Sequence, residues 1–165
     1  MDMAAHRIGV ISDTHGLMRS EALAALRGCE LLLHAGDVGG EHVLKALGEL
    51  APVISVRGNN DTESWAQSLP ETADVEIVGM RIHLLHDIAQ LSMPPAKAGV
   101  RVVVCGHSHR PRIEERDGML YFNPGSAGPR RFKLPVAVGF LELRPGIVLG
   151  HIIDVLQGGE LARSK

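Results

Sequence analysis

Aromatic side chains are scarce: one Trp, one Tyr and three Phe make up 3% of the 165 residues, and the formal charge is -2. The chain therefore lacks both the stacking faces and the cationic groove that resident nucleic-acid binding requires, and no stable nucleic-acid partner is expected. Only two cysteines occur, Cys29 and Cys105, far apart and without C-x-x-C spacing. That excludes a disulfide framework or a zinc knuckle and fits a reducing, cytoplasmic setting. No apolar run approaches the roughly 20 residues needed to cross a bilayer. The start, MDMAAHRIGVIS, has no basic segment leading into an apolar helix of signal-peptide length. A protein neither exported nor membrane-embedded is expected.

What is present is a chain 45% apolar and long enough to close a core, so a single domain over residues 1–165 is expected. Strand-length runs rich in Val and Ile recur: RIGVIS, ELLLHAG, PVISVRG, VEIVG, MRIHLLH, VRVVVCG, MLYF, VAVGFLEL and IVLGHIIDVL. Between the first three lie two stretches with helical spacing, SEALAALRG (Ala22, Leu23, Leu26) and EHVLKALGEL (Val43, Leu44, Leu47, Leu50). Ser20 reads as the N-cap of the first and Gly28 as its stop. The order β-α-β-α-β predicts parallel strands. Further on, Val78-Gly79, Asp117-Gly118 and Pro145-Gly146 separate apolar runs as hairpin turns. The expected fold class is therefore α/β, a two-layer mixed β-sandwich flanked by helices. The terminal GGELARSK reads as a loose tail, and the apolar stretches near the C-terminus read as core strands or as the surface of a homo-oligomer.

The ends of the runs carry the chemistry. VISDTH ends in Asp13 and His15, LLLHAGD in Asp37, ISVRGNND in Asn59, Asn60 and Asp61, HLLHD in His86 and Asp87, and VVVCGHSH in His107 and His109. Each piece alone has a plain structural explanation as a cap, a turn or a buried hydrogen-bonded histidine. Independent turns have no reason to place such residues at the same end of five adjacent strands, and open α/β sheets bind ligands outside the carboxyl ends of their strands. The conjunction points to one shared polar site. Carboxylate and amide oxygens with imidazoles, and no thiolate, suit Mn, Fe, Ni or Zn. Asp13, Asp37, Asn59, His86, His107 and His109, helped by His15, are too many for one ion and fill two coordination spheres if Asp37 bridges. Two such ions suit in-line displacement at phosphorus by a hydroxide held between them. The uncharged amide of Asn59 keeps that cage cationic, which attracts an anionic ester.

D-x-H at Asp13 to His15, G-D at Gly36-Asp37, G-N-x-D at Gly58 to Asp61, the strand-ending His86 and G-H-x-H at Gly106 to His109 resemble, in that order, the motifs of the calcineurin-like metallophosphoesterases. The small size, LLLHAGDV, and N-P-G-S at Asn123 to Ser126 followed by Pro129-Arg130 look most like the compact bacterial and archaeal phosphodiesterase branch. The resemblance implies a binuclear metal-dependent phosphoesterase acting on a small phosphate ester, a diester before a monoester. It assigns one ion to Asp13, His15, Asp37 and His109 and the other to Asp37, Asn59, His86 and His107, with manganese first among the metals. It gives catalytic duties to Asn59, Asn60 and Asp61, the last as a carboxylate that fixes a neighbouring imidazole. A second implication is non-catalytic: one eukaryotic retromer subunit of similar fold serves as a scaffold, so a metal-binding protein-interaction module is the rival.

Two positions depart from the family pattern. Asn60 stands where many larger members have His, which removes an acid near neutral pH and leaves an amide donor for a phosphoryl oxygen. Asp87 stands where this branch commonly has Gly, facing either the second ion or solvent. Of the remaining residues, His34 reads either as orienting Asp37 or as a buried hydrogen-bonded histidine. Cys105 reads as core and Ser126 as a turn hydroxyl rather than a nucleophile. Arg57, Arg110, Arg130 and Arg131 read as reaching a phosphate or as plain surface.

Overall fold

The computed structural model describes residues 4–92 and 98–165, so the first three residues of the MDMAA start lie outside the described residues. The strands are β1 (His6–Ile11), β2 (Leu31–His34), β3 (Val53–Ser55), β4 (Thr72–Ile77), β5 (Met80–Leu85), β6 (Val100–Val104), β7 (Arg112–Arg116), β8 (Met119–Asn123), β9 (Ala137–Arg144), β10 (Ile147–Asp154) and β11 (Glu160–Arg163), with helices α1 (Ser20–Leu26) and α2 (Glu41–Gly48). They form two mixed sheets, ordered β11-β10-β9-β1-β2-β3 and β4-β5-β6-β8-β7. The β-α-β-α-β segment gives three parallel strands, with Ile8 opposite Leu31 and Leu32 opposite Val53.

Period-2 alternation sorts the side chains between two cores. Ile8 and Val10 of β1, Leu33 of β2, Val102 and Val104 of β6, and Leu120 and Phe122 of β8 fill the space between the sheets. On the other face of the first sheet, Ile11, Leu32 and Phe140 pack under Ala22 and Leu26 of α1 and Val43 and Leu47 of α2. The outer face of the second sheet carries a smaller cluster, Leu85, Val103, Cys105 and Met119 against Leu91 and Ala98, beside a 3-10 turn at Ile88–Gln90. No helix among the described residues is long and apolar enough to cross a membrane.

The hairpin turns form where expected. Val78 and Gly79 (φ 45° and 79°) join β4 to β5, and Asp117 and Gly118 (φ 53° and 76°) join β7 to β8. Consecutive positive φ values match the right-handed twist of the strands they connect. Two local expectations are corrected. Ser20 is the first helical residue, not the cap; Arg19, with extended backbone, holds the cap position without a side-chain bond, and the Ser20 hydroxyl donates to Glu21 at 3.1 Å. The tail is not loose: β11 pairs with β10, placing Arg163 opposite His151, and Ser164 exchanges bonds of 2.8 Å with Gly150. Its polar residues carry no apolar alternation to announce a strand, and a short charged strand is suited to a sheet edge.

Phe122 of β8 packs against the first sheet. Its ring fills a notch made by two glycines on neighbouring strands: a Cβ on Gly139 would collide with ring atoms Cε1 and Cζ, and one on Gly150 would stand 2.9 Å from Cε2. We expect Phe122→Ala to cost about 3–5 kcal/mol through the cavity it leaves, and Gly150→Ala about 1–3 kcal/mol through overpacking. Urea unfolding of the metal-free protein measures both, and a neutral Gly150→Ala would show that the notch is not tightly filled.

Candidate metal centre

The chemistry-bearing residues sit at the carboxyl ends of β1, β2 and β3 in one sheet and β5 and β6 in the other. The expectation of five adjacent strands is corrected here: β4 is the hairpin partner of β5 and intervenes in the chain, so the site straddles both layers. Backbone bonds continue past the strand ends. Asp13 N donates to Gly36 O and His15 N to Asp37 O, both at 3.0 Å, while Gly106 N donates to His86 O at 2.9 Å. The loops run side by side, and their side chains converge.

Such close approach needs residues without a Cβ. A Cβ on Gly58 would collide with the backbone N and Oδ1 of Asp37, and one on Gly106 with Ser12 Oγ, lying 2.6 Å from Asp13 Oδ2. The loops are also bent hard. Asp13, His15, Asp37, His107 and His109 all have φ between 46° and 70°. Asp and His tolerate this region better than most residues, yet five such positions in one place mark stored backbone strain of the kind that collects at functional sites.

Asp13 is fully buried. Its Oδ2 accepts from Ser12 Oγ (2.6 Å) and His107 N (3.0 Å). Its Oδ1 has no hydrogen-bond partner, although Nε2 of His109, His15 and His86 stand 3.3, 3.8 and 3.9 Å away. Asp37 Oδ2 faces His86 Nε2 at 3.3 Å and His15 Nε2 at 3.7 Å. The Nε2 atoms of His15 and His109 are 3.3 Å apart, so at most one proton fits between them. His86 Nδ1 lies 2.7 Å from the Ala35 carbonyl; the carbonyl can only accept, so Nδ1 carries the proton and Nε2 is turned to the site.

Burial disfavours ionisation of both carboxylates, but their polar surroundings win. The nearby His109 ring and the Ser12 hydroxyl hold Asp13 below the ordinary carboxylate range, and the nearby His86 ring and the Asn60 donors hold Asp37 well below it. Burial also works against a charged His86, yet its bond to Asp37 and the charge of Asp13 raise it above the ordinary value. Its Nε2 lies 3.0 Å from Asn59 Oδ1. Burial lowers His15, against the pull of Asp37 and Asp13.

Two groups place their ligand atoms within 4.8 Å of one another and can hold a metal ion: Asp13, His15 and His109, and Asp13, Asp37 and His86. A carboxylate oxygen without a hydrogen bond, ringed by three imidazole nitrogens, is what a divalent cation satisfies, and the carboxylate and imidazole donors fit Mn, Fe, Ni or Zn. By these distances Asp13 as well as Asp37 faces both groups. His107 lies outside them: its side chain is 46% exposed, with Nε2 3.8 Å from Asp87 Oδ2 and its ring edge-on to His86.

The structure places the other expected residues as follows. Asn60 is turned to Asp37: its N and Nδ2 donate to Asp37 Oδ1 (2.9 Å) and Oδ2 (3.0 Å), which uses one of the two side-chain amide hydrogens. Asp61 fixes no imidazole. It is buried and accepts from Gly58 N (2.9 Å), Val38 N (3.1 Å) and Gly39 N (3.0 Å), tying the β3 loop to the β2 loop; three turn amides in range satisfy it before any ring can. Asp87 caps the 3-10 turn by accepting from Ala89 N at 3.0 Å. Ser126 donates to Asp13 O at 2.9 Å. Cys105 is buried, and burial, with Asp13 and Asp87 adding to it, pushes its thiol up to about 12. Arg57 pairs with Glu71 at 3.2 Å, Arg130 donates to Leu134 O at 3.1 Å, and Arg110 and Arg131 are exposed.

His34 is the buried hydrogen-bonded histidine, working through a residue absent from the sequence reading. Gly36 N donates to its Nδ1 (3.1 Å), so Nε2–H donates to Thr14 Oγ1 (3.0 Å), which donates to Val38 O (2.7 Å). This chain stitches the β1 and β2 loops together. Thr14 and Ser12 flank Asp13 directly, and hydroxyls beside a strand-ending carboxylate were the available signal.

A family model for the calcineurin-like phosphoesterase superfamily domain matches residues 7–146. A probable metallophosphoesterase of Methanothermobacter thermautotrophicus is 38% identical over 131 residues, spanning 72% of this chain and 76% of the relative. Phosphodiesterase YfcE of Escherichia coli K12 is 33% identical over 157 residues, spanning 79% of this chain and 84% of the relative. Among solved structures, Vacuolar Protein Sorting 29 from Cryptosporidium parvum matches with a TM-score of 0.82 over 98% of each chain at 21% identity, a likeness of fold. The chain belongs to the calcineurin-like phosphoesterase superfamily, a metal-dependent family.

Two measurements follow from the loop network. Burial pushes the His34 ring from 6.5 down to about 4, against the attraction of Asp13 and Asp61. Between those values the unfolded chain binds a proton that the folded one refuses, so stability falls as pH drops through this window, by roughly 3 kcal/mol in all, and His34 adds nothing further below it. The difference in unfolding free energy between metal-free wild type and His34→Gln should change by that amount between pH 7 and 4; a difference that stays constant counts against a neutral buried ring. Separately, Asp61→Asn should weaken manganese binding by about 10- to 100-fold, read by calorimetric titration, whereas unchanged affinity would mean that Asp37 needs no such anchoring.

Proposed function

We propose that the chain acts as a single-domain, binuclear metal-dependent phosphodiesterase. What supports this is the pair of ionised carboxylates, Asp13 and Asp37, each facing imidazole nitrogens from both sheets, with one Asp13 oxygen left without any hydrogen bond. One ion is assigned to Asp13, His15, Asp37 and His109. The other goes to Asp37, Asn59, His86 and His107, with the exposed His107 closing its open side. When bound, two divalent ions such as manganese activate a water for in-line attack and neutralise charge on the phosphoryl oxygens.

The chain's own residues supply orientation and charge balance. The Ala35 carbonyl fixes the His86 tautomer so that Nε2 faces inward. Asn60 clamps both oxygens of Asp37. Asn59 contributes a neutral oxygen, which keeps the loaded site cationic and attractive to an ester anion. Asn60 has no proton to give near neutral pH, so esters with good leaving groups are favoured. The names of relatives such as phosphodiesterase YfcE favour diesters over monoesters. A non-catalytic metal-binding interaction module is the second reading, and the likeness in fold to Vacuolar Protein Sorting 29 favours it.

Turnover of an aryl phosphodiester and its monoester with added manganese separates these. The diester should be hydrolysed faster, and Asp37→Ala should lose more than the roughly 100-fold that removing an outer partner of a ligand already costs. Equal rates in wild type and Asp37→Ala would remove the enzymatic reading.

A further inference from the structure

A cleft of about 620 Å³ opens directly from the cluster on the side of Asn59, His86 and His107. Its volume is that of a small-molecule site, larger than the phosphoryl group alone demands. The walls are distinctive. Thr62, Gln67, Thr72, Gln90 and Ser92 line it with hydroxyls and amides, and Leu85 is the one large apolar side chain among the described lining residues. None of those described residues is Phe, Tyr or Trp.

Each common kind of alcohol group makes a different demand on such walls. A nucleobase gains about 1–3 kcal/mol from each aromatic face it stacks on, and an acyl chain needs apolar area; the described lining residues offer no Phe, Tyr or Trp face and little apolar area. A second phosphate needs cations, but Arg57 is already paired with Glu71 at 3.2 Å, and Asp87 adds a further carboxylate to the lining. Hydroxyl groups both donate and accept, as do the side chains of Gln67, Gln90 and Thr62. We propose that this cleft receives the hydroxyl-rich alcohol half of the substrate, a glycerol- or sugar-like polyol esterified to the phosphate. The assignment rests on the phosphodiesterase reading for its reaction, but not for the recognition itself.

The full chain, supplied with manganese, is assayed on three diesters sharing a p-nitrophenyl leaving group, the other alcohol being glycerol, thymidine or a second p-nitrophenol. Each kcat/KM is divided by that ester's rate of alkaline hydrolysis. The glycerol ester should lead the other two by about tenfold or more, the worth of one or two hydroxyl hydrogen bonds. Gln67 and Gln90 are exposed, so Gln67→Ala and Gln90→Ala leave the core intact; each should pull that selectivity ratio toward one. Calorimetry with glycerol 3-phosphate, thymidine 5′-phosphate and phenyl phosphate gives a readout independent of turnover, and the glycerol compound should bind tightest and lose affinity in both variants.

Hydrolysis of the bis-aryl ester with no glycerol preference overturns the polyol assignment and leaves the phosphodiesterase reading standing. Absence of hydrolysis together with glutamine-dependent binding of glycerol 3-phosphate does the reverse. Tighter binding of either other monoester, or a selectivity ratio unmoved in both variants, also overturns the assignment.

Discussion

Two carboxylates kept ionised within reach of the same imidazoles are what the rest of this molecule is arranged to maintain. Asp13 and Asp37 would each lose charge on burial if left alone. Ser12 and the His107 amide anchor one oxygen of Asp13, and Asn60 grips both oxygens of Asp37. The anchoring is uneven in a useful way. Asp13 keeps one oxygen tied and one bare, so it is held in place without being satisfied.

The backbone bears the cost of this arrangement. Side chains from two separate sheets reach one point only because Gly58 and Gly106 let loop backbone press against Asp37 and Ser12, and because five neighbouring residues accept positive φ. Strain of that kind persists only where the surroundings over-determine it. Here the surroundings are two small polar networks, His34 through Thr14 to the Val38 carbonyl, and Asp61 on three amides. They bind loop to loop rather than loop to core. The sandwich beneath can therefore be an ordinary alternating apolar pack while the rim departs from regular geometry.

Much of this was legible in the residues, and the limits have physical causes. Val- and Ile-rich runs announce strands because their burial is periodic, and Asp117-Gly118 announces a turn because few other pairs tolerate its dihedral angles. The convergence of Asp13, His15, Asp37, His86 and His109 followed from their shared position at strand ends. The division into two layers was expected, but the chain order could not convey which strand joins which sheet, since hairpin and crossover partners are chosen by long-range packing. The roles of Asn60 and Asp61 were hidden for a similar reason. A carboxylate beside three turn amides and one beside an imidazole look alike in sequence, and only loop proximity decides between them. The strand β11 escaped because an edge strand needs backbone partners, not an apolar face.

The position of β1 has a consequence for how the protein is made. It precedes the other named strands in the chain, yet it lies between β2 and β9, and its neighbour Asp13 is braced from Ser126. A nascent chain that has just left the ribosome at His109 already contains every group of the cluster, but one edge of β1 is still without a partner and the Asp13 loop is unbraced. β1 waits for β9, and Asp13 for Ser126, so a chain stalled before them carries the ingredients of the site without the site.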